Sequence, residues 1–352
     1  MASVRKWCLS EGVMSQTVGS FLFEELHRRG VTHAFGIPGD FALPTFRWLD
    51  KSPLELITLT HEPSVGFAAD GYARMTNKIG VACVTYCVGG LNMLNSVACA
   101  YAEKSPLLVI SGGPSPNDRK ADPLLHHKVR TFDTQRRIYE EVTCATAVLL
   151  DPAHAAEEIR RVLNEIEKQC RPGYIEVPFD VVDMPIELPP LRNEPEAESD
   201  AENLAAAIED ATAMIEAAKQ PVIIADVELH RHGLTDVALE IAKRFNIPVA
   251  ATLLSKSVIS EHNALYMGVY SGGLSQADVQ EYVEQSDCAL LLGAFISDVF
   301  LGMNTAKLER KQTLLATTEK LRIGLRSYDD VRMEDFLAGL KNAAITPKAD
   351  AA

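Results

Sequence analysis

The 352-residue sequence lacks both glycine fingerprints of nucleotide-binding α/β proteins. No Gly-x-Gly-x-x-Gly follows a strand-like run, and no Gly-x-x-x-x-Gly-Lys-Ser/Thr occurs. That sets aside nucleotide-dependent dehydrogenases and P-loop hydrolases. No Cys-x-x-Cys pair is present, and the seven cysteines (Cys8, Cys83, Cys87, Cys99, Cys144, Cys170, Cys288) are odd in number and scattered. Such spacing argues against a zinc cluster or a disulfide framework, and for buried free thiols in a reducing compartment. Cys83 and Cys87 fall in an apolar run where a spacing of four places both on one strand face. Basic residues are in short supply: 34 Lys+Arg against 48 Asp+Glu, a net charge of −14. A chain this acidic lacks the clustered cations that nucleic-acid affinity needs. No apolar run approaches the ~20 residues of a membrane helix. The opening Met1-Ala2-Ser3-Val4-Arg5-Lys6-Trp7 has no secretory apolar core. The expectation is a cytoplasmic protein with neither a nucleic-acid nor a membrane partner.

What is present is an ordinary globular composition, 47% hydrophobic and 23% charged, in a length that suits two domains. Helix-period and strand-like segments alternate through both halves. In the first, helices are expected near residues 15–29, 63–75, 91–103 and 155–168. Strands are expected at 31–36, 54–59, 80–86, 106–111, 144–150 and 173–178. Continuous apolar runs separated by helices mark strands covered on both faces, hence a mostly parallel sheet. The second half repeats the pattern, with helices at 201–219, 234–245, 275–285 and 333–342 and strands at 221–226, 248–252 and 288–292. Between the halves, Pro185, Pro189, Pro190 and Pro195 with several acids read as a linker. The fold class is therefore α/β, with two doubly wound, mostly parallel-sheet domains. The boundaries are an extension at 1–14, a first domain at 15–183, a linker at 184–200, a second domain at 201–345 and a frayed tail at 346–352.

Ligands of open α/β sheets sit at the carboxyl ends of the strands, and four polar segments fall there. They are Pro38-Gly39-Asp40, His61-Glu62-Pro63, the turn Val88-Gly89-Gly90-Leu91-Asn92, and His126-His127 in the long loop after Ser111. Each has a plainer reading. Asp40 can cap a helix, Glu62 can be a first-turn acid, the histidines can be incidental, and paired glycines can be only a turn. Their co-occurrence at one sheet edge points to an acid–base site.

Longer motifs carry a resemblance. Phe35-Gly36-Ile37-Pro38-Gly39-Asp40, His61-Glu62-Pro63 and Gly66-Phe67-Ala68-Ala69-Asp70-Gly71-Tyr72-Ala73-Arg74 resemble the pyrimidine-binding domain of thiamine-diphosphate-dependent enzymes. The 85–92 turn, Ala102-Glu103-Lys104-Ser105-Pro106 and His126-His127 are similar to the 2-oxo-acid decarboxylase branch, particularly indolepyruvate and phenylpyruvate decarboxylases. The similarity spans residues 15–342, including a Rossmann-like middle domain with Val227-Glu228-Leu229-His230-Arg231-His232-Gly233-Leu234. It implies that Glu62 bonds N1′ of the cofactor's aminopyrimidine. Asp40, His126 and His127 would relay protons, and Pro38, Gly39, Val88, Gly89, Gly90 and Asn92 would line the ring.

One departure matters. The Gly-Asp-Gly motif with which these enzymes hold Mg²⁺ and the diphosphate does not occur in the 352 residues. The resemblance then implies an α subunit with no metal ligands of its own. Thiamine diphosphate would be shared with a second subunit that binds the Mg²⁺, in an α₂β₂ assembly acting on a 2-oxo acid by decarboxylation or acyloin-type carboligation. A non-catalytic regulatory or scaffold subunit, and a truncated full-length aryl-pyruvate decarboxylase, are the alternatives.

Overall fold

The computed structural model describes residues 16–186, 188 and 198–349. The 1–14 extension and most of the linker lie outside them. The chain divides into two compact units, Met1–Arg192 and Asn193–Ala352. No helix among the described residues is long and apolar enough to cross a membrane.

The first unit opens with α1 (Val18–Arg28), whose N-cap Thr17 accepts from the Ser20 amide in a capping box. Then follow β1 (His33–Gly36), a 3₁₀ turn (Asp40–Ala42), α2 (Leu43–Lys51), β2 (Glu55–Thr58), α3 (Glu62–Thr76), β3 (Gly80–Val84) and α4 (Val88–Ala102). The chain continues through β4 (Leu107–Gly113), α5 (Pro116–Ala121), α6 (Thr134–Tyr139), β5 (Ala145–Val148), α7 (Pro152–Gln169) and β6 (Gly173–Pro178). The six strands form one parallel sheet in the order β2-β1-β3-β4-β6-β5. Every residue of β3, β4 and β6 is buried, as sandwiching between helix layers requires. One face packs Leu108, Ile110 and Ile175 beneath α1 and α7. The other packs Val109, Ala82 and Tyr174 beneath α3 and α4. The strand order reverses between β1 and β3, the switch point where such sheets open a crevice at their carboxyl edge.

The second unit runs α8 (Ala201–Ala217), β7 (Pro221–Ala225), α9 (Val227–Arg231), α10 (Thr235–Phe245), β8 (Val249–Ala251), β9 (Tyr266–Val269), α11 (Ala277–Gln285), β10 (Cys288–Leu292), β11 (Thr313–Ala316), β12 (Leu321–Ile323), β13 (Arg326–Tyr328) and α12 (Met333–Lys341). Its sheet order is β13-β12-β11-β10-β7-β8-β9. The β12 and β13 pairings are antiparallel and the rest parallel. At the carboxyl edge, Asp226 after β7 gathers three donors. Oδ1 accepts from the Val227 amide at 2.7 Å and Thr252 Oγ1 at 2.5 Å, and Oδ2 from the Phe295 amide at 2.7 Å. Glu228 Oε2 accepts from the Thr318 amide at 2.9 Å.

Four local expectations need correcting. The helix expected at 91 begins at Val88, so Gly89 and Gly90 are helical, and the unusual backbone is at Cys87 (φ 51°). Cys83 and Cys87 therefore do not share a strand face: one lies in β3 and the other caps α4. The sequence reading lacks strands β9, β11, β12 and β13, which are only three or four residues long, with Arg322 and Arg326 interrupting the last two. The tail is tied down as far as Lys348. The Thr346 amide donates to Glu216 Oε2 at 2.8 Å and the Lys348 amide to the Phe245 carbonyl at 3.0 Å.

Candidate active site

Four connections at the carboxyl edge of the first sheet carry the polar residues singled out above. Asp40 follows β1 and begins the 3₁₀ turn. Glu62 follows β2 as the first residue of α3, with Pro63 behind it in the first turn, where a missing amide costs nothing. Thr85 and Cys87 lead from β3 into α4. His126 and His127 sit in the loop between β4 and α6.

Asp40, His126 and His127 converge across 86 residues of sequence. His126 Nε2 meets Asp40 Oδ2, and His127 Nε2 lies 3.9 Å from Asp40 Oδ1. Phe41 stacks on the His126 ring (centroids 5.0 Å, 26° between planes), and the two imidazoles meet edge to face at 4.6 Å. His127 adopts φ 66°, a left-handed backbone that costs a non-glycine residue about 1 kcal/mol and tends to mark imposed geometry. Thr85 Oγ1 donates to the other Asp40 oxygen at 3.1 Å, so this bond spans the switch point between β1 and β3. Burial raises the Asp40 carboxyl, but the bonds from His126, the Phe41 amide and Thr85 outweigh it and hold it below its ordinary value. The three ligand-capable atoms lie within 4.8 Å of one another, a convergence not anticipated for a metal.

Glu62 stands on the other side of Thr85. Its Oε2 accepts from Asn92 Nδ2 at 2.6 Å. Its Oε1 lies 3.8 Å from the place a Cβ on Gly89 would occupy. That same position is 3.2 Å from Thr85 Cγ2, which makes Gly89 the surface between the glutamate and the threonine. Val88 is 51% exposed beside it. Pro38 is exposed and Gly39 half-buried, and a Cβ on Gly39 would stand 2.5 Å from Thr85 Cβ. Gly90 faces away from this edge: its space is filled by Gln135 Oε1 at 2.3 Å, and Tyr139 donates to its carbonyl at 2.6 Å. Packing in the interior accounts for that glycine.

Thr85, Phe41, Arg119 and Glu176 were not singled out as site residues. Phe41 follows Asp40 directly, and Thr85 ends an apolar strand. Glu176 carried the plainest signal, a lone acid inside Gly-Tyr-Ile-Glu-Val-Pro, a run that reads as buried on both faces. Six cysteines among the described residues are free thiols.

Glu62 Oε1 is placed to share a proton with a ring nitrogen, beside the small surface of Gly89 and the exposed Val88. An aminopyrimidine ring suits both, so the donor set fits thiamine diphosphate. The comparisons agree. Residues 16–136 match the family profile "Thiamine pyrophosphate enzyme, N-terminal TPP binding domain", and residues 208–331 match "Thiamine pyrophosphate enzyme, central domain". The chain is 40% identical over 325 residues to an indole-3-pyruvate decarboxylase of Azospirillum brasilense, covering 92% of this chain and 58% of that protein. Pyruvate decarboxylase 2 of Arabidopsis thaliana is 32% identical over 334 residues (92% and 54%). An alpha-keto-acid decarboxylase of Mycobacterium leprae is 30% identical over 342 residues (94% and 58%). The chain thus spans little more than half the length of these relatives. It belongs to the thiamine pyrophosphate enzymes and holds that family's N-terminal and central domains.

Proposed function

We propose that the Asp40–Thr85–Glu62 edge is the ring-activating half of a thiamine diphosphate site that decarboxylates 2-oxo acids. The observation that carries the reading is the pairing of Glu62 with Asn92, which occupies one carboxylate oxygen and leaves the other on the Gly89 side. When bound, the cofactor supplies the electron sink that holds the carbanion left as CO₂ departs. The residues of this chain do the rest. Glu62 Oε1 holds the proton shared with the ring nitrogen. Pro38, Gly39, Val88 and Gly89 enclose the ring and exclude water. His126 and His127 carry a proton to and from the substrate carbon, and Asp40, on the Nε2 side of both rings, fixes their orientation.

The 352 residues contain no Gly-Asp-Gly, so the diphosphate and Mg²⁺ are assigned to polypeptide outside them. That wall lies in polypeptide outside these residues, and the relatives, of which this chain spans little more than half, have the length to hold it. The 40% identity to an indole-3-pyruvate decarboxylase favours an aromatic 2-oxo acid as substrate.

The test is purification of the native assembly with thiamine diphosphate and Mg²⁺, followed by product analysis on a panel of 2-oxo acids. Activity that appears only with a second, Gly-Asp-Gly-bearing chain places the diphosphate wall on a separate subunit, and an intact mass near twice this one's places it on a longer single chain. Release of CO₂ with aldehyde or acyloin supports the chemistry. Absence of both in cofactor-loaded assembly overturns it.

A further inference from the structure

Between β4 and α6 the chain runs over the sheet edge carrying His126 and His127. The Asp40 contact does not by itself explain its order, since the His126 and Asp40 side chains are 61% and 46% exposed. The firm attachment lies underneath. Glu176, in β6, has a fully buried side chain. Its carboxylate lies against Gly113, the last residue of β4, where an added Cβ would come within 2.4 Å of Oε1. Arg119 of α5, 11% exposed, places Nη2 on Glu176 Oε1. The same guanidinium places Nη1 on Asp133 Oδ1 at 3.2 Å, and Asp133 is the N-cap of α6. One planar fork therefore fastens an early and a late point of the loop to the sheet. Tyr174 completes the base by donating to Glu176 Oε2 at 2.8 Å, and Gln135 Nε2 bonds the Tyr174 hydroxyl at 2.6 Å.

A buried ion pair is a poor stabiliser beside apolar residues of equal volume, while losing either partner alone is costly. What this one offers is a single geometry for the segment above it. We propose that the Arg119–Glu176 pair is a latch that positions His126 and His127 against Asp40, although neither latch residue touches the histidines. Its catalytic consequence rests on the thiamine diphosphate reading; its geometric consequence does not.

The test uses Arg119→Lys, which keeps the charge but reaches only one acceptor, and the double variant Arg119→Met/Glu176→Leu, which removes both charges. Asp40→Asn provides the reference for a lost histidine contact. The first readout is the ring ¹⁵N NMR spectrum of His126 in the chain. The second is the kcat and KM of the assembled holoenzyme. The latch predicts His126 resonances displaced toward their Asp40→Asn positions, with kcat down about 10–100-fold and KM little changed, as misplacement near 1 Å produces. Folded variants with wild-type His126 resonances overturn it, whatever the enzyme catalyses. Displaced resonances with an Asp40→Asn enzyme of normal turnover overturn the relay reading and leave the latch standing. Should the double variant not fold, Arg119→Lys decides alone.

Discussion

The side-chain amide of Asn92 donates a 2.6 Å hydrogen bond to Glu62 Oε2, joining the first residue of α3 to the second turn of α4. This bond turns a helix-terminal acid into an oriented one. Replacing Glu62 by Gln should abolish exchange of the cofactor C2 proton in the assembled enzyme, with circular dichroism and assembly unchanged. Asn92→Leu should slow that exchange about 10–100-fold, since a hydrogen bond to a charged group contributes about 1.5–3 kcal/mol. NMR-detected exchange at C2 checks both. Wild-type exchange in Glu62→Gln removes Glu62 from its role.

Asp40 is held below its ordinary value of 3.8, chiefly by His126 against the opposing effect of burial. A depressed carboxylate stabilises the fold above its unfolded value and ceases to do so as pH falls through its folded value. The stabilisation of wild type over Asp40→Asn should thus be present above the ordinary value of 3.8 and be lost as pH falls below it through the lowered folded value. Thermal melts across that range measure it. A difference that survives protonation of the carboxyl at low pH contradicts the assigned pairing.

Two imidazoles and a carboxylate converging within 4.8 Å suit borderline transition metals better than Mg²⁺. Added Zn²⁺ should inhibit the assembled enzyme, with chelator restoring turnover. Co²⁺ titrated into the chain should develop a visible absorption band that His126→Ala and His127→Ala each remove. An unchanged spectrum in both variants would place the metal elsewhere.

Glycine is required at some positions and merely tolerated at others. An added Cβ on Gly39 would stand 2.5 Å from Thr85 Cβ, whereas one on Gly71, in the body of α3, meets nothing within 4 Å. Gly39→Ala should cost about 1–3 kcal/mol as an overpacked site and break the Thr85–Asp40 bond. Gly71→Ala should gain about 0.5–1 kcal/mol from reduced chain entropy. Urea unfolding of the two variants gives opposite signs if both accounts hold.

The parts of this fold written locally were legible in advance. β4 reads as an apolar run and β6 as one interrupted only by Glu176, and His61-Glu62-Pro63 marks a helix start that the structure places at Glu62 itself. The start of α4 was not legible, because Gly89-Gly90 looks like a turn by propensity. The segment is helical all the same, and glycine stands there because Gln135 and Thr85 crowd the space that side chains would need. The hairpin of β12 and β13 hid for a different reason: Arg322, Arg326 and Ser327 interrupt any apolar period, and the strands are held by their neighbours. Arg119 and Glu176 are 57 residues apart, and nothing in either local sequence announces that they meet. Long-range pairings of this kind follow from topology once the strand order is known.

The acids at the crest of the second sheet have a consequence of their own. Asp226 and Glu228 already satisfy the amides of Val227, Phe295 and Thr318, the kind of donors with which a wound sheet greets a phosphate group. Burial pushes the Asp226 carboxyl upward, against the pull of its bonds from Thr252, Phe295 and Val227. An incoming anion would have to displace both acidic side chains to reach those amides. The second unit thus meets from its own side chains the amide donors that a doubly wound sheet elsewhere turns toward a bound anion.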